Sequence, residues 1–450
     1  MKIHFISIGG SAMHSLAIVL KQKGHEVTGS DDAIFEPSRS KLAKYGLLPE
    51  EIGWNEQYIT EELDAVILGM HAKDDNPELI KAQNLGLKIY SYPEFLYEQS
   101  KDKTRVVIGG SHGKTTITSM ILHVMNYHEK EIDYMVGAAV NGLENPLHLT
   151  GENDFIVIEG DEYLSSAIDR RPKFHLYQPN IALLSGIAWD HINVFPTYDK
   201  YVEQFRIFID SIVNGGILVY NEEDPEVKRL AEESENPIRK HPYHTPDYHT
   251  EGNVTILDVP EGELPLEIFG KHNLNNLAGA KWICQHMGVD EDDFYEAIAT
   301  FSGASKRLEK IAEKGSSVIF KDFAHSPSKV AASTAAVREQ YPNKKLVACL
   351  ELHTYSSLNS EFLKEYKDSL EPADEALVFY SPEAIAVKKL EPVSIGQISK
   401  AFNKEGLKVF TTSESFKEEL NNLSLKDSVL LMMSSGNYGG LDPEELKSLI

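Results

Sequence analysis

The chain has 450 residues and a formal charge of −25, with 42% hydrophobic and 25% charged residues. Such a length favours two to four domains, and the composition is that of an ordinary globular protein. No apolar run approaches the roughly 18 residues that a membrane span needs, and the acidic charge opposes non-specific binding of nucleic acid. Because the N-terminus also lacks the pattern of a signal peptide, we expect a cytoplasmic protein without a nucleic-acid partner. The sequence leaves the oligomeric state, monomer or dimer, open.

The N-terminal residues predict a βαβ unit of the kind that binds nucleotides. Residues 2–8 read as a strand, residues 12–23 as a helix and residues 26–29 as a second strand. The turn after the first strand and the end of the second supply the candidate ligand-binding residues Gly9, Gly10, Ser11, Ala12, Met13 and Asp31. The glycine fingerprint is incomplete, because Ser7 stands in its first position. A dinucleotide oxidoreductase is the alternative interpretation, but the phosphate-loop pattern further along the chain favours a different cofactor.

A second strand, glycine loop and helix begin at Thr104. The strand leads into the candidate phosphate-binding residues Gly110, Ser111, His112, Gly113, Lys114, Thr115 and Thr116. Glycines let backbone N–H groups turn toward phosphate, the helix N-terminus adds partial positive charge, and the lysine reaches the β- and γ-phosphates. The strict pattern G-x-x-x-x-G-K-[ST] fails, because Ile108 stands where its first glycine is expected. A glycine turn with a solvated lysine is the alternative, but the flanking strand and helix favour a loop that binds ATP, with Thr115 on Mg²⁺.

Polar side chains follow two further strand patterns. One buried-strand pattern ends at Glu159, with Asp161 and Glu162 close behind it. Carboxylates at the carboxyl end of such a strand face the ligand crevice, although a surface acidic turn is the bland alternative. The next strand pattern leads to Asp190 and His191, a pair that is by itself poor evidence for a metal site. Without further information a structural histidine is the better interpretation there.

The C-terminal half offers a second group of candidates. His272 and Asn273 open a helix, where an asparagine amide can pair with a base edge or simply cap the helix. Arg307 belongs to a basic pair, Lys306-Arg307, at a predicted hinge, where an exposed basic turn is the simplest interpretation. Asp322 stands at a strand end and His325 follows it on a loop.

The coarse order of elements predicts an α/β protein with a mostly parallel sheet in its last part. That part alternates between helix 328–340, strand 345–350, helix 360–370, strand 376–380 and a final strand, 428–433. An irregular or short-stranded insert is expected over residues 221–265. Polar and hinge-like stretches divide the chain into predicted domains 1–101, 102–305 and 306–450.

These motifs resemble, in the same order, those of the Mur ligases, the ATP-dependent enzymes that build peptidoglycan peptides. Residues 110–116 resemble the shortened phosphate loop of that family. The N-terminal turn and residues 65–78 resemble the branch that takes UDP-N-acetylmuramate. The resemblance implies a Rossmann-like N-terminal domain that binds the UDP-sugar, a P-loop-type central ATPase domain, and a Rossmann-like C-terminal domain that closes on ATP and the acceptor.

The resemblance also implies a role for each candidate residue. It assigns catalysis to Lys114, Glu159 and His191, and Mg²⁺ binding to Thr115, Glu159 and His191. It assigns ATP binding to residues 110–116, His272, Asn273, Arg307, Asp322 and His325. It assigns UDP-sugar binding to Gly9, Gly10, Ser11, Ala12, Met13, Asp31, His71 and Ala72. Residues 201–208, where many relatives carry a carbamoylated lysine, contain no lysine, so no carbamate is expected.

The implied reaction is activation of an acid: ATP phosphorylates the muramate carboxylate, and an amine then displaces phosphate to form an amide. The resemblance of residues 159–163, 168–174, 189–196 and 433–440 favours the tripeptide L-Ala-γ-D-Glu-meso-diaminopimelate as the acceptor. Residues 351–355 are intermediate, and L-alanine is the alternative acceptor. An ATP-responsive binding or regulatory module is the alternative from another class, but the intact set Lys114, Glu159, His191 and Asp322 argues against it.

Overall fold

The computed structural model describes residues 1–137, 143 and 145–450. The described chain divides into two compact units that each draw on several segments. The first unit comprises residues 1–110, 128–185 and 202–242, and the second comprises residues 111–127, 186–201 and 243–450.

The first unit opens with a four-stranded parallel sheet in the order β2-β1-β3-β4. Its elements are β1 (Lys2–Ile6), α1 (Ser11–Gln22), β2 (Glu26–Ser30), α2 (Ser38–Lys44), β3 (Ala65–Leu68), α3 (Pro77–Asn84), β4 (Ile89–Ser91) and α4 (Tyr92–Ser100). Ile6, Val66 and Leu68 of the sheet are buried with Leu79 of α3. Since β1 and β2 are parallel, the turn after β1 and the residue after β2 lie at the same edge of the sheet, and the predicted βαβ opening is confirmed.

The middle of the chain forms a seven-stranded sheet in the order β11-β10-β9-β5-β8-β6-β7, in which β7 is antiparallel to its neighbour β6. The elements of this stretch are β5 (Thr104–Gly109), α5 (Lys114–Tyr127), β6 (Asp133–Met135), β7 (Leu147–His148), β8 (Phe155–Glu159), β9 (Ile181–Leu184), α6 (Tyr198–Asp210), β10 (Ile217–Asn221), α7 (Pro225–Glu233) and β11 (Arg239–Tyr243). The sheet itself belongs to the first unit. Its central strands β5, β8 and β9 are parallel, so their carboxyl ends share one edge.

The second unit contains a three-stranded antiparallel sheet, β12-β13-β14, and a six-stranded sheet in the order β15-β16-β20-β17-β18-β19. Its elements after β11 are β12 (Tyr248–Glu251), β13 (Val254–Val259), β14 (Gly262–Leu266), α8 (Lys271–His286), α9 (Glu291–Ile298), β15 (Glu309–Lys314), β16 (Ser317–Asp322), α10 (Pro327–Gln340), β17 (Lys345–Leu352), β18 (Glu375–Tyr380), α11 (Pro382–Val387), α12 (Ile395–Phe402), β19 (Lys408–Phe410), α13 (Ser413–Asn422), β20 (Ser428–Met433) and α14 (Pro443–Lys447). Helix α5 packs against α8 and α9. In the large sheet only β15 is antiparallel to its neighbour.

Two predictions about elements need correction. The predicted helix 360–370 is wrong, because only a 3₁₀ turn forms there, at Leu363–Tyr366. The turn ends where Asp368 adopts a left-handed backbone, φ 61°, and donates its N–H to the carbonyl of Phe402. The predicted insert 221–265 does contain short strands, but it also contains α7, whose first turn is capped by the Asp224 carboxylate.

Among the described residues no helix is long and apolar enough to cross a membrane.

Candidate functional site

The predicted strand, glycine loop and helix are present at residues 104–127, with Lys114 as the first residue of α5. Gly110 and Gly113 have φ angles of 134° and 80°, which side-chain-bearing residues rarely adopt. The carbonyl of Gly113 accepts the N–H of Ile117 at 2.8 Å, so the helix follows the loop directly. This is the local geometry that a phosphate-binding loop requires.

Ser111 fixes the loop to the segment that follows β9. Its N–H donates to the carbonyl of Gly186 at 2.9 Å, and its Oγ accepts the N–H of Ala188 at 2.9 Å. The same Oγ lies 2.8 Å from the hydroxyl of Tyr201 on α6. Ser111 and Tyr201 are both buried, so these bonds are shielded from water.

Helix α8 approaches the loop from the other side. A Cβ built on Gly113 would lie 2.4 Å from Oδ1 of Asn276, so any other residue here would displace that side chain in addition to straining the left-handed backbone. Asn276 is not among the residues predicted from the sequence. Its signal was available, because Asn276 stands three residues after Asn273 and therefore on the same face of the helix.

The predicted adenine-binding pair stands at the start of α8. The Asn273 side chain is buried and donates its Nδ2–H to the carbonyl of Phe269 at 2.9 Å. A residue with only a structural role at the start of a helix would make the same hydrogen bond. Burial, together with the smaller effect of the neighbouring His112, lowers the pKa of His272 to about 4. At neutral pH His272 is therefore an uncharged imidazole that can both donate and accept a hydrogen bond.

His191 lies on the loop after β9 with a left-handed backbone, φ 52°. Its N–H donates to the carboxylate of Asp190 at 2.7 Å. Asp190 is buried, lies 3.9 Å from Nζ of Lys329 and accepts the hydroxyl of Ser356 at 3.4 Å. Burial alone would raise the pKa of Asp190, but the charge of Lys329 and the neighbouring histidines holds it below its ordinary value. Asp190 therefore fixes the backbone at the predicted metal ligand.

Asp322 ends β16 and ties the basic hinge to it. Its two carboxylate oxygens accept the N–H groups of Leu308 at 2.9 Å and Ala324 at 2.6 Å. Burial raises the pKa of Asp322, opposed first by the guanidinium of Arg307. That guanidinium lies 4.7 Å from the ring centre of Phe323. The Asp322 carboxylate therefore lies near the Arg307 guanidinium, and Asp322 also has a structural role at the hinge.

His325 lies on the loop that follows β16. One of its ring nitrogens is 2.7 Å from the carbonyl of Phe323, and its own carbonyl accepts the hydroxyl of Tyr366. Burial lowers the pKa of His325 to about 4, with Lys329 acting in the same direction and Asp190 against it. The imidazole is therefore neutral at physiological pH.

The acidic turn after β8 belongs to the first unit. Glu159 is buried and accepts the N–H of Gly137 at 2.6 Å. Asp161 forms an ion pair of 2.5 Å with Lys173, and Glu162 is buried. A surface acidic turn is therefore excluded for the two buried glutamates.

The N-terminal turn also lies in the first unit. The N–H of Gly9 donates to Oδ2 of Asp31 at 2.7 Å. Burial raises the pKa of Asp31, while the N–H groups of Gly9 and Ala33 act against it. The Asp31 carboxylate thus holds the turn itself. Of the other predicted UDP-sugar residues, His71 is exposed and Ala72 is buried.

Within residues 1–137, 143 and 145–450, no group of three or more His, Cys, Asp or Glu side chains is arranged to hold a metal ion. The predicted Mg²⁺ set depends instead on a threonine hydroxyl, a glutamate and a histidine.

Two family models match the chain: the Mur ligase middle domain over residues 108–284, and the Mur ligase family, catalytic domain, over residues 2–104. The UDP-N-acetylmuramate–L-alanine ligase of Caldicellulosiruptor bescii is 31% identical over 84% of this chain and 83% of that protein. The ligase of the same name from Caldicellulosiruptor saccharolyticus is 29% identical, over 97% of this chain and 96% of that protein. The UDP-N-acetylmuramate–L-alanyl-γ-D-glutamyl-meso-2,6-diaminoheptandioate ligase of Escherichia coli is 27% identical over 100% of this chain and 98% of that protein.

Solved structures share the fold. MurC of Thermotoga maritima has a TM-score of 0.71 at 21% identity, covering 100% of this chain and 97% of that one. The murein peptide ligase of Psychrobacter arcticus has a TM-score of 0.67 at 23% identity, covering 100% and 98%. MurF of Thermotoga maritima, solved in complex with ADP, has a TM-score of 0.57 at 17% identity, covering 86% and 88%.

The fold and the loop at the start of α5 define an α/β protein of the phosphate-loop type. The chain belongs to the Mur ligase family, and it is an ATP-dependent enzyme that forms amide bonds. The predicted family, enzyme class and α/β fold class are therefore confirmed.

Proposed function

We propose that this enzyme joins the carboxylate of UDP-N-acetylmuramate to an amine, with ATP converted to ADP and phosphate. The observation that carries the proposal is the loop in which Gly113, with its left-handed backbone, precedes Lys114 at the start of α5. The names of the curated relatives support the sugar substrate, because ligases of both acceptor types among them take UDP-N-acetylmuramate. The ADP complex of a structural neighbour supports the nucleotide.

Phosphoryl transfer needs positioning and charge neutralisation more than covalent help from the protein. Lys114 is proposed to stabilise the charge that develops on the transferred phosphoryl group. Thr115 and Glu159 carry the oxygen ligands that Mg²⁺ prefers, and His191 is proposed to bind Mg²⁺ through its imidazole. When bound, Mg²⁺ would neutralise phosphate charge.

The remaining predicted residues have binding roles in this proposal. His272 and Asn273 would contact the adenine, and the neutral imidazole of His272 at pH 7 suits a contact with a base edge. Arg307 would reach the phosphates, Asp322 the ribose, and His325 would lie over the nucleotide. Gly9, Gly10, Ser11, Ala12, Met13, Asp31, His71 and Ala72 would bind the UDP-sugar.

The curated relatives support L-alanine as the acceptor better than the tripeptide that the sequence motifs favour. L-Alanine is therefore the first acceptor in this proposal. The tripeptide is the second candidate, since it is named for the Escherichia coli relative and is favoured by the sequence of residues 159–163 and 168–174.

Residues 161–174 form a tightly held loop of the first unit. The Asp161–Lys173 pair closes it, the hydroxyl of Ser165 donates to the carbonyl of Arg171 at 2.6 Å, and Arg171 pairs with Asp169 at 2.7 Å. Such a rigid, charged loop is the kind of feature that can select a charged peptide.

Phosphate release with each acceptor tests the choice. L-Alanine and the tripeptide are compared at saturating ATP, Mg²⁺ and UDP-N-acetylmuramate. A pocket built for one acceptor leaves groups of the other unpaired, so kcat/KM should differ by about 100-fold or more. A clear preference for the tripeptide would overturn L-alanine as the acceptor and leave the ligase assignment standing. Release with neither acceptor would contradict the assignment itself.

A further inference from the structure

We propose that Tyr201 is a positioning residue that holds the phosphate loop in its ATP-binding conformation through Ser111. The inference rests on the proposed function, because it assumes that residues 111–115 bind the phosphates of ATP. In this role Tyr201 touches neither the nucleotide nor the reacting atoms.

Three hydrogen bonds meet at Ser111. Its N–H is paired with Gly186, and its Oγ bridges the N–H of Ala188 and the hydroxyl of Tyr201. Gly186 and Ala188 begin the segment that leads to His191. Ser111 is therefore the point at which the phosphate loop and the segment carrying a predicted metal ligand are joined.

The contact with Tyr201 restrains the orientation of the Ser111 hydroxyl. A hydroxyl has one proton to donate and two lone pairs, and the N–H of Ala188 already occupies one lone pair. The bond to Tyr201 restrains the remaining rotation of Oγ. Because Ser111 is only 4% exposed, water is poorly placed to replace that bond if it is lost.

The ring and the hydroxyl of Tyr201 have different roles, which a substitution can separate. The ring is fully buried and lies 5.6 Å from the ring of Phe195, so it contributes to packing. The hydroxyl reaches Ser111. Tyr201→Phe keeps the ring and its packing and removes the hydroxyl that reaches Ser111, and the double-mutant cycle below tests whether that contact is responsible.

The chain offers a matched control. Tyr177 is also fully buried, and its hydroxyl has no hydrogen-bond partner among the residues that the structure describes. Tyr177→Phe therefore removes the same atom from an equally buried ring without touching the phosphate loop.

The test measures Kd by calorimetry for a non-hydrolysable ATP analogue with Mg²⁺ and, separately, for UDP-N-acetylmuramate. Loss of one buried hydrogen bond predicts an ATP-analogue Kd about 3- to 10-fold higher in Y201F and unchanged in Y177F. The Kd for UDP-N-acetylmuramate should be unchanged in both variants. A general loss of structure would instead weaken both ligands or lower the binding stoichiometry.

A double-mutant cycle with Ser111→Ala tests whether the contact itself is responsible. S111A breaks the bond from the loop side, so the effect remains measurable even if Y201F does not fold. Adding Y201F to S111A should weaken binding no further. Equal ATP-analogue Kd values in wild type and Y201F, or fully additive effects, would overturn the inference. A wild-type protein that does not bind the analogue would overturn the proposed function as well.

Discussion

Gly113 and Asn276 approach each other so closely that a Cβ on residue 113 would lie 2.4 Å from Oδ1 of Asn276. The backbone of Gly113 is also left-handed, with φ at 80°. Two independent constraints, one from the helix α8 and one from the loop itself, therefore require glycine immediately before Lys114.

Gly113→Ala should lower kcat/KM for ATP by about 100-fold or more, because both the steric overlap and the left-handed backbone strain displace the loop. Steady-state phosphate release measures the effect. Gly396→Ala is the matched control, since Gly396 lies in α12 with nothing within 4 Å of the added Cβ. Comparable kinetics in G113A and G396A would show that the loop is not part of the ATP site.

Lys114→Ala should lower turnover by about 10²- to 10³-fold, the range typical for loss of one group that stabilises charge in the transition state. The fold should be unaffected, since Lys114 is only partly buried. Turnover and Tm are measured together, with Lys426→Ala as a surface control. A folded K114A enzyme with near-normal turnover would contradict the proposed role of the lysine.

His272 makes the stability of the enzyme depend on pH. Its pKa is lowered by burial to about 4, whereas an unfolded histidine protonates near pH 6.5. The unfolded state therefore binds more protons between these values, so the contribution of His272 to stability is complete above pH 6.5 and is lost as the pH falls toward 4.

Between pH 7 and pH 5, the free energy of unfolding should fall by about 1 to 2 kcal/mol less in His272→Asn than in the wild type. Urea unfolding at the two pH values measures the difference. The exposed His71, changed to Asn, provides the comparison. A pH dependence in H272N that matches wild type would mean that the imidazole is not held neutral by the fold.

Many of the strands and helices could be predicted from local sequence patterns. The strand and helix around the phosphate loop, and the final strand 428–433, were predictable because β-branched runs, glycines and apolar spacing act over a few residues. Residues 360–370 also have apolar residues at helical spacing, but no α-helix forms there. A single turn is enough to bury Phe362, Leu363 and Tyr366 in the hydrophobic core. The left-handed backbone at Asp368 then ends the turn and changes the direction of the chain.

Candidate residues that belong to a sequence motif could be named from the sequence, and the spacing of Asn276 from Asn273 on α8 could have added Asn276 to them. Tyr201 could not be named in this way, because it meets Ser111 across 90 residues of sequence and no local pattern in α6 marks that contact. Likewise, the involvement of Asp322 and Asp31 in main-chain hydrogen bonds depends on packing that a sequence does not display.

Phosphate release from ATP and Mg²⁺ tests the central claim most directly, measured with UDP-N-acetylmuramate and an amine acceptor, each present or absent, together with mass analysis of the sugar product. The proposed acid activation predicts rapid release only when both are present, with one new amide on the sugar nucleotide for each phosphate. Phosphate release that is independent of UDP-N-acetylmuramate, or an unmodified sugar nucleotide after turnover, would contradict it.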